Sequence, residues 1–257
     1  MKKLLCIICT CLILFACSSG ESSTAETENK KDEIVELIDK SANQFEGWKM
    51  YSEEYEEIQG NNSGYSYHAE YLNDNDVKYR YFKGNSGNEN TNFIPDVSKI
   101  TKDKWETTYI DESKNSIFEG GSMESYQLNE DKEILDAFFM NEVNSLFDIY
   151  VSDETKDFFD KKMESKDNEI ILTITCSDLD AYNQYRQEKY DNAGEFTGKM
   201  EVIGYFDQDA NLKTIKVHSE SVEDGIYEYE RNFKQIKEPT YTIDEIENFI
   251  KEAKSKS

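Results

Sequence analysis

Residues 65–81 read Tyr65-Ser66-Tyr67-His68-Ala69-Glu70-Tyr71-Leu72-Asn73-Asp74-Asn75-Asp76-Val77-Lys78-Tyr79-Arg80-Tyr81. Tyr65, Tyr67, Ala69 and Tyr71 fall at every second position, which puts them on one face of a strand; Val77, Tyr79 and Tyr81 share one face of the next. Between the two rows, Asn73 to Asp76 is turn chemistry, because short Asn and Asp side chains bond their own backbone and tolerate the left-handed region. The stretch predicts a β-hairpin, hence antiparallel sheet.

The same alternation spreads in both directions. Trp105, Thr107 and Tyr109 begin another meander with Glu112-Ser113-Lys114-Asn115 as its turn, and strands continue to Leu128. A Gly- and Asn-rich loop spans Gly84 to Asn92. A hairpin across Lys166-Asp167-Asn168 enters the apolar run Ile170 to Cys176. Met200 to Phe206, Leu212 to Ser221 and Ile226 to Ile236 form a three-strand meander, joined through Asp207 to Asn211 and Glu223-Asp224-Gly225. Trp48 to Ile58 reads as an earlier strand of poor alternation, with a helix through Ser52 to Ile58 as the alternative.

Helical spacing interrupts the strands at four places. Ile34, Leu37, Ile38, Ala42 and Phe45 make an opening stripe. Ile134, Leu135, Phe138, Phe139, Val143, Leu146, Phe147 and Tyr150 make the broadest one, wide enough to cover a sheet. Ser177 and Asp180 have capping-box spacing before a Tyr-rich helix. Thr242 and Glu245 repeat that spacing before Ile246, Phe249 and Ile250. The expected order is helix, about five strands, helix, two strands, helix, three strands, helix. The fold class is α+β: a long curved antiparallel sheet covered by helices.

The N-terminus carries a different message. Lys2 and Lys3 precede an uncharged apolar run that ends at Leu14-Phe15-Ala16-Cys17. The run is shorter than the roughly 20 residues of a spanning helix and suits an export signal. Its end resembles the lipobox of bacterial lipoproteins, although Phe15 departs from the smaller residue usual there. The resemblance implies cleavage after residue 16, lipid on Cys17, and anchoring to the outer face of the bacterial cell membrane by the two or more acyl chains that stable attachment takes. Residues 17–31, rich in Ser, Thr and Glu, read as a flexible tether. Residues 32–257 read as a single domain, two smaller α+β units dividing near Asn129 being the alternative. In element order and lipoprotein context this domain resembles the half-barrels of the LolA and LppX type lipoprotein families, which implies a sheet closed on its concave side by helices.

Charge narrows the partners. The formal net charge of −25 becomes −27 once Lys2 and Lys3 are removed, which excludes nucleic acid, whose phosphates require a basic surface. Cys6, Cys9 and Cys11 lie in the discarded segment, so Cys176 remains as a lone small hydrophobe without a disulfide partner. His68 and His218 sit in strands opposite the apolar face and read as surface residues, with no metal-ligand spacing around them. Asp207, Asp209 and Asn211 match the first ligand positions of a calcium loop, but Leu212 replaces its Gly and His218 its bidentate Glu, so a hairpin turn accounts for them. No nucleophile elbow, phosphate loop or dinucleotide fingerprint occurs. No cofactor is called for, and the expectation is a protein without catalytic activity.

The surplus of 17 Tyr and 14 Phe suits sheet packing and also an aromatic concavity. The expected function is the binding or shielding of an apolar, lipid-like ligand beneath the helix carrying Phe138, Phe139, Leu146 and Phe147. The alternative is a protein-binding accessory or sensor module of the cell envelope.

Overall fold

In the computed structural model the residues described are 33–41, 44–59, 62–86, 91–119, 123–127, 146–147, 150–190, 193–222 and 225–256. Cys17, the tether, Phe138 and Phe139 lie outside them.

Among the described residues thirteen strands form one sheet. They are β1 Met50–Gln59, β2 Asn62–Asp74, β3 Val77–Ser86, β4 Thr91–Asn92, β5 Asp96–Ile100, β6 Lys104–Asp111, β7 Ser116–Ile117, β8 Glu124–Gln127, β9 Phe159–Lys166, β10 Glu169–Cys176, β11 Phe196–Phe206, β12 Leu212–Ser221 and β13 Gly225–Gln235. Every pairing is antiparallel, in the order β7-β6-β5-β3-β2-β1-β13-β12-β11-β10-β9, with β4 beside β3 and β8 beside β6. The two ends do not meet, and the architecture is an α+β half-barrel. Because β1 pairs β13, strands from before and after Asn129 belong to one sheet. The helices are α1 (33–41), α2 Gln44–Gly47, α3 Leu179–Lys189 and α4 Ile243–Lys256. Residues 146–147 and 150–151 are also helical. No helix among the described residues is long and apolar enough to cross a membrane.

The turns follow their residue chemistry. The hairpin at residues 74–77 has Asn75 at φ 53°, and Asp167 and Asn168 both adopt positive φ, as a two-residue turn matched to strand twist requires. Glu245 Oε2 accepts from Thr242 N at 2.8 Å, closing the expected box on α4. At α3 the cap is Asp178, whose carboxylate accepts from Ala181 N at 3.0 Å. This corrects the expectation for Ser177, whose hydroxyl instead donates to Phe158 O.

Two further expectations are corrected, and a third resolves to its first reading. Eight strands precede the central helical segment instead of about five. Asp96–Ile100 carries too few apolar residues for its strand to be read, and β4 and β7 are two residues each. The Gly84 loop starts later, since β3 runs through Ser86. The segment from Ser52 to Ile58 is strand, not helix. Its alternation looks poor because Glu53 occupies an inward position, fully buried and paired with Arg231.

Register divides the core between the two faces. Asp74 pairs Val77, so each odd-numbered residue of β2 pairs an even-numbered residue of β3. The tyrosines keep odd numbers through the turn and therefore change sides. Tyr51, Ala69 and Tyr71 join Phe233, Ile215, Val202, Phe206, Leu172 and Ile174 on the first face. Ile34, Leu37 and Ile38 of α1, Phe45 of α2, Phe147 and Tyr182 of α3 cover that face. Leu72, Tyr79, Tyr81, Val97 and Ile110 lie on the opposite face, where α4 buries Ile246, Phe249, Ile250 and Ala253. Helices thus cover both faces, one at each end of the sheet, whereas the lipoprotein resemblance implied cover on one.

Candidate functional site

Beyond the helical cover, the first face leaves a cavity of about 210 Å³. Its floor is built by inward positions of four neighbouring strands: Ile174 of β10, Met200 and Val202 of β11, Val217 of β12, and Tyr229 of β13. Phe159 and Phe196 form its walls, and Tyr150 lies over it with its ring edge-on to Phe159 at 5.1 Å. Tyr182 of α3 stands edge-on to Phe159 at 5.0 Å from behind, fixing that wall. Ser219 and Tyr227 stand among the lining on the β12–β13 side. Burial raises the Tyr150 phenol well above its ordinary range, and burial raises that of Tyr229 against the opposing pull of Arg231. Both phenols stay neutral at any physiological pH. The site is an apolar receptor with neutral hydroxyls, and Glu201 and His218 also belong to its lining.

From Tyr229 an aromatic band continues across the first face. Tyr229 meets Tyr55 at 5.6 Å, Tyr55 stacks on Tyr67 at 4.9 Å, and Tyr67 reaches Phe82 at 5.2 Å. Tyr65 extends the band to Phe93, whose ring is 48% exposed. Two of the hydroxyls are engaged: Tyr55 donates to Glu57 at 2.8 Å and Tyr67 to Glu53 at 2.5 Å. Below the band, Glu53 accepts from Arg231 Nε at 2.7 Å and Nη2 at 2.5 Å. These bonds hold the rings on one plane of the sheet, with ring faces and edges left for contact.

The residues expected to bind ligand separate in the structure. Phe147 is fully buried, 6.0 Å from Phe206 and so close to the chain that a Cβ on Gly204 would lie 2.9 Å from its ring. Leu146 packs on the same core. Neither lines the cavity; among the described residues that role falls to Tyr150, one turn on. Of the predicted stripe, residues 146–147 and 150 are described and helical, and the strand side chains that line the cavity stand outside it. The alternating row Ile215, Val217 and Ser219 and the ring pair Tyr227 and Tyr229 were the available signal.

The other candidates resolve simply. Asp207 accepts from the backbone of Asp209 at 3.0 Å and Asn211 at 2.9 Å, and pairs Lys213, a hairpin turn closed on itself. Among the described residues no group of three His, Cys, Asp or Glu is placed to hold a metal ion. Cys176 is half-buried, and burial pushes its thiol up, away from the reactive thiolate. His68 and His218 are not plain surface residues: each is half-buried between two glutamates, because the strand face opposite the apolar one carries an acidic row.

No protein-family model matches the chain, and no curated protein matches it. Among solved structures, MucB in complex with MucA(peri) is similar at 6% identity and a TM-score of 0.38, over 82% of this chain. The match spans 58% of that chain's length. An N-terminal dehydratase from the difficidin assembly line aligns at 8% identity and a TM-score of 0.14, over 88% of each chain. Superpositions this loose carry no argument about function, and the reading below rests on the chain's own residues.

Proposed function

We propose that this protein is a non-enzymatic binding module, tethered by lipid on Cys17 to the outer face of a bacterial cell membrane, that receives an apolar group in the cavity beneath Tyr150. The supporting observation is the continuity of that cavity with the aromatic band through Tyr229. Pockets for drug-sized molecules run to about 300–1,000 Å³, so 210 Å³ takes one ring or a short chain rather than a whole lipid. The ligand is then amphipathic, inserting an apolar end and laying the rest on the tyrosines. A protein partner offering an apolar side chain is the second reading, favoured by the exposure of Phe93 at 48% and Ile94 at 40% beside the band.

The test is a neutral naphthylamine fluorophore, chosen because an anionic dye would be repelled by so acidic a chain. It binds the wild type at micromolar concentration and is displaced by a medium-chain fatty alcohol. Ser219→Trp fills the cavity from its rim and abolishes binding, while stability stays within about 0.5 kcal/mol, as for substitutions outside the tightly packed core. Equal binding by wild type and Ser219→Trp would remove the cavity from the account. The anchor is tested separately. Cys17→Ala leaves an unprocessed precursor or releases the protein from membranes on fractionation; a processed mutant that survives alkaline washing in the membrane pellet would overturn it.

A further inference from the structure

The opposite face of the sheet, on the part that α4 does not reach, carries two contiguous clefts of about 550 and 610 Å³ that share Glu56 and Glu230. A histidine lines each, and the two are built to one pattern. On β2, His68 sits directly across from Glu54 of β1 and two residues before Glu70. On β12, His218 sits directly across from Glu228 of β13 and two residues before Glu220. His68 Nδ1 is 2.5 Å from Glu54 and its Nε2 3.1 Å from Glu70; His218 Nδ1 is 2.7 Å from Glu228 and its Nε2 3.3 Å from Glu220.

We propose that this polar groove is a pH-operated electrostatic face, two charges less negative while the two Glu–His–Glu clamps are protonated than when they discharge. The geometry sets the protonation state. Only the imidazolium has a proton on both nitrogens; a neutral ring would turn a lone pair toward a carboxylate oxygen in each clamp. The lining glutamates Glu54, Glu56, Glu201, Glu228 and Glu230 face three lysines, Lys83, Lys199 and Lys216. With Glu70 and Glu220, the second arms of the clamps, carboxylates outnumber lysines further, and two protonated histidines offset two of the excess negative charges.

Neighbouring groups support the clamps. Lys83 stands across from His68 on β3 but is taken by Glu112, which also accepts from Tyr81. Across from His218 on β11 is Glu201, paired with Lys199, while Lys216 is paired with Glu230. The hydrogen bond that His68 donates to Glu70 raises its affinity for its proton, and the one His218 donates to Glu228 does the same for that ring, each against desolvation. A raised histidine pKa means stability present below the ordinary pKa and lost as pH climbs through the raised one. The clamps also differ in which arm can move. Glu70, 9% exposed, is fixed by Thr240 N at 2.6 Å and Thr240 Oγ1 at 2.9 Å, whereas Glu54 is 59% exposed. On discharge Glu54 swings into the groove.

His68 and His218 are the chain's two histidines, so isotope labelling of histidine in the untagged full-length protein gives two signals, assigned with His68→Gln and His218→Gln. Both titrate in NMR with midpoints above the ~6.5 of a free imidazole. Glu54→Gln lowers the His68 midpoint and leaves that of His218 in place; Glu228→Gln does the reverse. Electrophoretic mobility between pH 6 and 9 shows the wild type gaining two more negative charges than the double His→Gln variant. Midpoints at or below 6.5, Glu variants that move neither signal, or equal mobility changes would each overturn the proposal. None of these readouts depends on ligand in the apolar cavity, so failure here leaves the binding reading standing.

Discussion

Glu53→Ala lowers the unfolding free energy by about 3–5 kcal/mol, the loss expected when one partner of a buried ion pair is removed and the other stays charged inside. Glu53 has no exposed surface, and the Arg231 side chain is 13% exposed. The carboxylate accepts from both Nε and Nη2 of Arg231, from Tyr67 and, at 3.3 Å, from Tyr71. Removing it takes away at once the carboxylate that pairs this guanidinium and accepts from both phenols. The double replacement Glu53→Met with Arg231→Met costs far less, since the desolvation of both charges disappears with them. Urea melts at low and high salt measure both variants, and the loss in Glu53→Ala persists in salt because a buried pair is poorly screened. A loss below about 1 kcal/mol would mean that water reaches this part of the sheet.

Phe147→Ala costs about 3–5 kcal/mol, the range for emptying a core phenylalanine site. Its ring is held by Phe206 and by the bare backbone of Gly204, where an added Cβ would stand 2.8 Å from Phe206 and 2.9 Å from Phe147. Gly204→Ala alone therefore overpacks the contact, by about 1–3 kcal/mol. In the double variant the new methyl enters space the ring has left, so the two losses combine to less than their sum. Strict additivity in that cycle would show that Phe147 and Gly204 do not touch. The result also separates packing from binding: Phe147→Ala weakens the fold through the core, while Ser219→Trp acts on the cavity alone.

What the sequence made legible was local. Tyr65 to Tyr81 declared a hairpin because its alternation and its Asn-Asp turn agree, and Thr242 with Glu245 declared the start of α4. What it hid was parity. The two tyrosine rows read as equivalent, yet a two-residue turn between odd-numbered rows sends them to opposite faces, and with them goes the site that α4 must cover. The strand at Met50–Gln59 was obscured by Glu53, because a charged residue at an inward position breaks the apolar pattern that marks a strand. Its partner Arg231 lies 178 residues away, beyond any local window. For the same reason the strand residues that line the cavity were not legible, while Phe138 and Phe139 lie outside the described residues. Met200, Val217 and Tyr229 come together only through the register of β11, β12 and β13. The histidines, read as surface residues, gain their glutamate neighbours from cross-strand pairing that no spacing in the sequence displays.

The central claim, that an apolar group enters the cavity under Tyr150, is tested most directly by NMR of methionine methyl groups during titration with a medium-chain fatty alcohol. Met200 lines the cavity on the first face, while Met50 and Met123 pack against the core on the opposite face and report any global change. The account predicts a saturable shift of the Met200 methyl, absent in Ser219→Trp, with Met50 and Met123 unmoved. A Met200 signal that stays in place at saturating alcohol, or one that moves only together with Met50 and Met123, would contradict it.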